Sequence, residues 1–243
     1  MGVSAIGASV VLPVLVVRGI RKSYRGGDGG IIRVLDGVEL EVMPGEMVAI
    51  VGASGAGKST LLHVVGGLDR PDSGEVVVDG VQLSDRGEAE LAALRNRKIG
   101  FVFQFHHLLR EFSALENVMM PLRIAGIDER TARTRAERLL ALVGLGERMQ
   151  HRPGELSGGE QQRTAVARAL AADPVLLLAD EPSGNLDHPN AERLHDLLAG
   201  LTRDLELGMV VVTHNRSLAA RADRVLLLED GVLAETDVKG LVG

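Results

Sequence analysis

The chain has 243 residues, a formal charge of −6 and no cysteine. Its length suits one large domain with a sizeable core, and the lack of cysteine excludes disulfides and thiolate metal sites. The acidic balance argues against a protein held on nucleic acid by a general positive field, so no nucleic-acid partner is expected. No segment reaches the roughly 18 apolar residues that span a bilayer, so we expect any membrane association to come through a partner protein.

The first part of the chain is typical of strands separated by turns. Residues 1–13 are expected to form a loose N-terminus that leads into a strand at 14–20. Two further strand-like runs, 38–42 and Met47–Val51, flank a Pro-Gly turn. Because aromatic residues make up only 2% of the chain, the core is predicted to be aliphatic.

A glycine-rich loop follows the run Met47–Val51 and fits the pattern G-x-x-x-x-G-K-[ST]. Glycines let backbone N–H groups curl around a phosphate, and the helix predicted at 61–65 directs its positive end at the anion. We expect Lys58 to reach the β- and γ-phosphates of ATP and Ser59 to bind Mg²⁺. The flanking strand and helix argue against a chance match. The expected ATP-binding residues of the loop are Gly52, Ala53, Ser54, Gly55, Ala56, Gly57, Lys58, Ser59 and Thr60.

The rest of the chain alternates strands and helices around a helical middle. A strand at 75–78, a helix at 88–95 and a buried strand at Ile99–Phe103 precede a helical stretch over 113–143. Alternation then resumes, which predicts an α/β fold with a parallel, doubly wound sheet and an inserted helical subdomain. The later strands are predicted at 175–178, 209–212 and 225–228, and a helix at 190–201.

Two acids follow the apolar strand predicted at 175–178. Asp180 at the end of a buried strand can reach Mg²⁺ held at a phosphate loop, and Glu181 can polarise the attacking water as a general base. Solvated acids that simply terminate a strand are the alternative. The phosphate loop upstream favours the functional interpretation.

A second glycine-containing motif precedes a run of good helix-forming residues at 165–171. Ser157 and Glu160 have capping-box spacing, and a capped helix is the simplest interpretation. Gly158 and Gly159 are unfavourable just inside a helix unless another group must approach closely. An exposed helix start with serine and two glycines also suits an anion.

The run Leu-Ser-Gly-Gly-Glu-Gln-Gln-Arg at 156–163 resembles the signature sequence that defines ABC ATPases. The resemblance spans about residues 14–237 and implies one ABC ATP-binding domain over 1–243, with a P-loop NTPase fold. Its RecA-like core and antiparallel β subdomain would occupy 14–104 and 172–237. The helical subdomain, which carries the signature, would occupy 105–171.

The same resemblance implies further site residues. Gln104 matches the Q-loop glutamine that contacts the metal, so Ser59, Gln104 and Asp180 form the implied Mg²⁺ set. Asp187 matches the D-loop and His214 the switch histidine that touches the γ-phosphate. Tyr24, the only tyrosine, matches the aromatic residue that stacks on adenine. Each residue taken alone could be an ordinary polar or packing residue, and their order and spacing support the assignment.

In this family each ATP lies between the phosphate loop of one subunit and the signature of another. The resemblance therefore implies a second copy of the chain as a partner. Ser157, Gly158, Gly159 and Glu160 of one copy would face the γ-phosphate held by the other. ATP would close such a dimer, and hydrolysis would remove the shared anion.

Residues 103–109 and 113–118 resemble the ATPase subunits of lipoprotein-releasing systems, a group that includes MacB-like exporters. Arg110 stands where proline is expected, and Ser183 where threonine is commoner. The resemblance implies transmembrane partners like LolC and LolE, reached through residues 105–109, at the cytoplasmic face of a bacterial inner membrane. Lipoprotein would be the cargo. A MacB-type exporter, an FtsE-like cell-division subunit and, more remotely, a soluble ABC protein acting on nucleic acid or ribosomes stay open.

Overall fold

A computed structural model of the chain describes residues 11–27, 29–84 and 86–237. The loose N-terminus predicted at 1–13 lies mostly outside these ranges, and residues 11–13 have no regular structure. The strands are β1 (Leu15–Arg25), β2 (Ile31–Val42), β3 (Met47–Val51), β4 (Ser73–Val78), β5 (Val81–Gln82), β6 (Ile99–Phe103), β7 (Leu176–Asp180), β8 (Gly208–Val212), β9 (Arg224–Glu229) and β10 (Val232–Glu235). The helices are α1 (Lys58–Val65), α2 (Glu88–Lys98), α3 (Ala114–Ile124), α4 (Glu129–Leu142), α5 (Gly158–Ala169), α6 (His188–Asp204) and α7 (Arg216–Ala219), with 3-10 turns at Gly146–Arg148 and Pro153–Glu155.

In the described ranges the strands form two sheets. The smaller sheet is antiparallel and has the order β2-β1-β4-β5. The larger sheet has the order β10-β9-β3-β8-β7-β6, in which β9 to β6 run parallel and β10 is antiparallel to β9. This arrangement confirms the predicted α/β fold with an antiparallel β subdomain. The predicted Pro-Gly turn joins the two sheets, because β2 belongs to one sheet and β3 to the other.

The central strands are buried on both faces, which is why they appear in the sequence as continuous aliphatic runs. All five residues of β3 are buried. Met47, Ala49 and Val51 pack with the helices α3 to α6 on one side of the sheet. Val48 and Ile50 pack with α1 and the smaller sheet on the other side. Because successive side chains of a strand point to opposite faces of the sheet, β3 contributes residues to both cores.

The helical middle contains two helices where the sequence predicts one stretch over 113–143. A break at residues 125–128 separates α3 from α4. Ser113 caps α3 with a capping box that includes Glu116, and the Asp128 side chain accepts from the Thr131 backbone N–H to cap α4. These local caps end and restart the helix where apolar periodicity alone shows no interruption.

No helix in the described part of the chain combines the length and the apolarity needed to cross a bilayer.

Gly100 joins the larger sheet to the signature-bearing helix. A Cβ at this position of β6 would lie 2.6 Å from the Ala169 carbonyl oxygen of α5 and 2.8 Å from Leu177 Cδ1. Backbone cannot move aside as a flexible side chain can. The sheet and α5 can therefore approach this closely only if the residue is glycine.

We predict that Gly100→Ala lowers the free energy of unfolding by about 1–3 kcal/mol through overpacking. The matched control is Gly200→Ala in α6, where an added Cβ meets nothing within 4 Å. That variant should gain about 0.5–1 kcal/mol, because alanine is the better helix former. Urea denaturation monitored by circular dichroism measures both. Equal stability of the two variants would contradict the close contact.

Candidate active site

Four neighbouring parallel strands end together at one edge of the larger sheet. Ile50 of β3 and Asp180 of β7 both pair with Val212 of β8, and Phe103 of β6 pairs with Asp180. The loops that follow these strands carry the phosphate loop, the switch histidine, the second acid and Gln104. The sheet therefore brings together four motifs that are far apart in sequence, at the edge where α/β proteins bind ligands.

The phosphate loop is held tightly against the core. A Cβ on Gly52 would lie 2.5 Å from the Leu228 carbonyl oxygen, and the backbone there has φ of 153°. Lys58 Nζ donates to the carbonyl oxygens of Gly52 and Ala53, each at 2.9 Å. Since α1 begins at Lys58, the lysine ammonium and the start of the helix lie on the same loop. This is the positive environment that a triphosphate requires.

Tyr24 lies near the end of β1, close to the start of α1. Its hydroxyl donates to Asp69 Oδ2 at 2.7 Å. Burial and the bond to Asp69 raise the pKa of the Tyr24 phenol. Lys22 Nζ lies 5.0 Å from the ring centroid, and the residue is 41% exposed. The predicted stacking on adenine stays a prediction.

Glu181 and His214 contact each other directly. The Glu181 backbone has φ of 45°, a conformation that is uncommon for this residue type. The Glu181 backbone N–H donates to the Val212 carbonyl oxygen at 2.9 Å, which extends the hydrogen bonding between β7 and β8 by one residue. Glu181 Oε1 lies 2.7 Å from His214 Nδ1 and accepts from the His214 backbone N–H at 3.1 Å. Thr213 Oγ1 donates to Oε2 at 3.3 Å. The carboxylate is therefore fixed at the sheet edge by the switch segment.

Gln104 is bound to the segment that follows Glu181. Its Nε2 donates to Asn185 Oδ1 at 3.1 Å, and Asn185 Nδ2 donates to the Gln104 carbonyl oxygen at 3.1 Å. The Asp187 side chain caps the N-terminus of α6, because its Oδ1 accepts from the Asn190 backbone N–H at 3.0 Å. The Q-loop and D-loop are thus joined within one chain.

The implied magnesium ligands are all oxygen donors. Ser59 supplies a hydroxyl at the start of α1, Asp180 a carboxylate at the end of β7, and Gln104 an amide oxygen after β6. The described residues contain no group of three or more His, Cys, Asp or Glu able to hold a metal ion. A sparse set of hard oxygen ligands suits Mg²⁺, which binds few protein groups and takes the rest from phosphates and water.

The signature forms the start of α5 as its sequence predicts. The Ser157 hydroxyl donates to Glu160 Oε2 at 2.8 Å, and the Glu160 backbone N–H donates back to it at 3.3 Å. The Ser157 backbone N–H, which donates to Glu160 Oε2 at 2.8 Å, lowers the pKa of Glu160 to about 2, together with the Ser157 hydroxyl and the Arg148 guanidinium. A Cβ on Gly159 would lie 2.9 Å from Asn190 Oδ1 of α6. The structure thus places the signature against the D-loop helix.

Two residues of this cluster escape sequence reasoning. Asn185 pairs with Gln104, and Thr213 contacts Glu181. Both stand inside motifs that the sequence identifies, Asn185 two residues before Asp187 and Thr213 directly before His214. Thr213 is fully buried, and a buried polar residue suggests a functional contact. The sequence does not show that burial, so it gave no signal for Thr213.

Comparison with known proteins agrees with this geometry. The family model described as "ABC transporter" matches residues 35–184, more than half of the chain. "Lipoprotein-releasing system ATP-binding protein LolD" of Chromohalobacter salexigens is 53% identical over 221 residues, covering 91% of this chain and 93% of that protein. The protein of the same name from Xanthomonas campestris pv. campestris is 58% identical over 202 residues, covering 83% and 84%.

Solved structures show the same fold. The ATP-binding cassette MJ0796, in a dimeric post-hydrolysis state bound to ADP and Pi, superposes with a TM-score of 0.83 at 39% identity, covering 92% of this chain and 98% of that one. CbiO1 of Clostridium perfringens, part of the cbiONQ ABC transporter complex, superposes with a TM-score of 0.82 at 27% identity, covering 94% and 90%. The chain therefore belongs to the LolD family of ABC transporter ATP-binding proteins.

Proposed function

We propose that this chain is the ATP-hydrolysing subunit of a lipoprotein-releasing ABC transporter. The convergence of the phosphate loop, the acid pair, Gln104 and His214 at one sheet edge carries the ATP-hydrolysing part of the proposal, and the identity of 53% and 58% to LolD proteins supports the lipoprotein-releasing part. In the proposed complex, two copies bind transmembrane subunits resembling LolC and LolE at the cytoplasmic face of the inner membrane, as peripheral proteins. ATP hydrolysis drives the release of outer-membrane-directed lipoproteins towards a periplasmic chaperone.

ATP binding is assigned to the phosphate loop and the strand beside it. Lys58 exchanges its bonds to the Gly52 and Ala53 carbonyls for the β- and γ-phosphates, which bind an ammonium more strongly than neutral carbonyls do. The Tyr24 side chain, held in place by the bond from its hydroxyl to Asp69, is 41% exposed and offers a face for adenine. Ser59, Asp180 and Gln104 would hold Mg²⁺, which neutralises phosphate charge when bound.

Hydrolysis is assigned to Glu181 with His214 beside it. Glu181 orients the attacking water and accepts its proton, since its carboxylate lies at the sheet edge from which the phosphate loop also starts, one strand away. His214 lies within hydrogen-bond distance of that carboxylate at 2.7 Å. Its side chain is 74% exposed and can turn to the γ-phosphate. The contact between the two residues therefore connects the base to a sensor of the nucleotide.

The second copy completes the site. Ser157 and Gly158 are exposed at the start of α5, where backbone N–H groups and the helix dipole attract a phosphate. In the proposed dimer they reach the γ-phosphate held by the facing phosphate loop. We propose that residues 105–171 move as a helical subdomain relative to the core at 14–104 and 172–237, with Gln104 at the junction.

A groove between the core and the helical middle suits a membrane subunit. It has a volume of about 370 Å³ and is lined by apolar side chains that include Phe101, Phe103 and Ile124. Next to it in the chain, Phe105 is 64% exposed and Leu109 41% exposed. Exposed apolar residues around a groove mark an interaction site, so we assign the groove and residues 105–109 to a transmembrane partner.

We predict that Glu181→Gln abolishes turnover, with a loss of at least about 100-fold, while ATP binding is kept and an ATP-bound dimer accumulates. Lys58→Ala should lose ATP binding itself. Phosphate release, a fluorescent-nucleotide titration and light scattering after gel filtration measure the three properties. Glu147→Gln, an exposed Glu-to-Gln change outside the cluster, is the control. A Glu181→Gln protein with near-normal phosphate release would remove Glu181 from the mechanism.

We predict that Ile124→Glu prevents recovery of the membrane subunits, because a charge at the end of α3 opposes burial in an apolar interface. Ile124 is 70% exposed. Leu142→Glu is the matched control, since Leu142 is also exposed and also the last residue of a helix. Tagged chain is purified from mild-detergent membranes, and partners are quantified by mass spectrometry. Equal recovery with both variants would move the interface elsewhere.

The same purification of the unmodified chain tests the cargo. Subunits resembling LolC and LolE support lipoprotein release. Recovery of membrane subunits of a MacB-type exporter or of an FtsE-type division complex would support the ATPase function and contradict lipoprotein as the cargo. Ribosomes or DNA with no membrane subunit would contradict the transport function.

A further inference from the structure

A histidine lies fully buried in the middle of α6, outside the cluster at the sheet edge. His195 has 0% exposure, although its helix is otherwise anchored by apolar residues such as Leu194 and Leu198. A buried imidazole is costly unless its nitrogens are satisfied. Its hydrogen bonds therefore indicate why a polar side chain occupies this position.

One ring nitrogen of His195 is bonded to the segment that follows the acid pair. Nε2 lies 2.8 Å from Ser183 Oγ, and both groups are buried. Nδ1 has no hydrogen-bond partner among the described residues and lies 3.5 Å from Glu192 Oε1. The nearby carboxylate favours the tautomer with its proton on Nδ1, so the Ser183 hydroxyl donates to Nε2. Burial lowers the pKa of His195, which keeps the ring neutral at neutral pH.

Ser183 stands at a sensitive point of the chain. It is two residues after Glu181 and two before Asn185, the partner of Gln104. The backbone between them turns tightly, with Gly184 N donating to the Glu181 carbonyl oxygen at 3.0 Å and Leu186 N to that of Ser183 at 3.1 Å. A tether on Ser183 therefore restricts both the proposed base and the D-loop.

The same helix face also holds the segment after His214. Glu192, one turn before His195, accepts from Ser217 Oγ at 2.6 Å and from Arg221 Nη2 at 2.7 Å. Arg221 also binds Asp196 Oδ1 through Nε at 2.9 Å. Residues three and four apart share one helix face. One face of α6 therefore contacts the loop that carries Glu181 and the short helix that follows His214.

We propose that His195 is a positioning residue for ATP hydrolysis, which holds the Glu181–Asp187 segment in place through its buried bond to Ser183. This inference rests on the proposed role of Glu181. It differs from simple packing, because a packing residue would use its apolar surface and would need no partner at Ser183. Loss of the bond frees the loop without touching the phosphate loop, so turnover falls while ATP affinity is kept.

The experiment compares His195→Leu, His195→Gln and Ser183→Ala in the full-length chain with Mg-ATP. His195→Leu and Ser183→Ala are expected to lower kcat about tenfold, with KM for ATP within about twofold of the unmodified chain. His195→Gln should recover most of kcat, because its amide can reach Ser183. The double variant should be no slower than the slower single variant, since both remove the same bond.

The matched control is Thr202→Val on the same helix. Thr202 is also buried, and its Oγ1 donates to the Leu198 carbonyl oxygen rather than to the catalytic loops. The control loses a buried hydrogen bond and some thermal stability, but should keep kcat. If His195→Leu behaves as Thr202→Val does, with a lowered Tm and normal kcat, His195 is a packing residue and the proposal is overturned.

Two further outcomes are decisive. If His195→Leu does not fold, Ser183→Ala decides, because a normal kcat in that small change would overturn the proposal. Glu181→Gln is assayed in parallel to separate the two levels of inference. An inactive Glu181→Gln with fully active Ser183→Ala and His195→Leu would reject the tether alone, whereas an active Glu181→Gln would reject the role of Glu181 and with it the tether.

Discussion

The register of the parallel ladder is the constraint on which the rest of the site depends. Asp180 pairs with both Phe103 and Val212, so three strands end within one residue of each other. A strand rises about 3.3 Å per residue, and a slip of one residue also exchanges its two faces. Either change would move Glu181 out of hydrogen-bond distance of His214. Burial of both faces of these strands prevents such slips, because every side chain already has a place in one of the two cores.

The aliphatic strands and the phosphate loop were predictable because their signals are local. β3 and β6 have the predicted bounds, since each is a continuous apolar run followed by turn or polar residues. The prediction at 14–20 was too short, because β1 continues to Arg25 with polar residues alternating with a buried Lys22. β2 likewise starts at Ile31, ahead of the predicted run 38–42, although its first residues Ile31 and Ile32 are apolar and exposed. The start of β2 therefore had a strand signal that the prediction did not use, whereas the polar end of β1 has a weaker one.

The candidate site divides in the same way. Lys58 and Glu181 could be proposed from the phosphate-loop pattern and from the acid pair after an apolar strand, and His214 from its match to the switch histidine of the family that the sequence resembles. The pairs Gln104–Asn185 and Ser183–His195 could not, since each joins two elements and neither partner has unusual neighbours in the chain. A buried hydrogen bond between separate elements has no periodicity. It becomes visible only when the fold brings its two groups together.

The signature shows how a local bond shapes the proposed dimer. The Ser157 hydroxyl already donates to Glu160, and a carboxyl with a pKa of about 2 remains an acceptor throughout the neutral range. A phosphate of the facing copy would therefore exchange one charge-assisted bond of Ser157 for another, with little net gain from the hydroxyl. The Gly158 backbone N–H, exposed at the start of α5, has no i−4 acceptor within its own helix, whereas the Glu160 N–H donates to the Ser157 hydroxyl. In the proposed dimer the attraction of the signature for the facing phosphate is therefore expected to come mainly from unpaired backbone N–H groups and the helix dipole, and loss of the γ-phosphate charge on hydrolysis would weaken it.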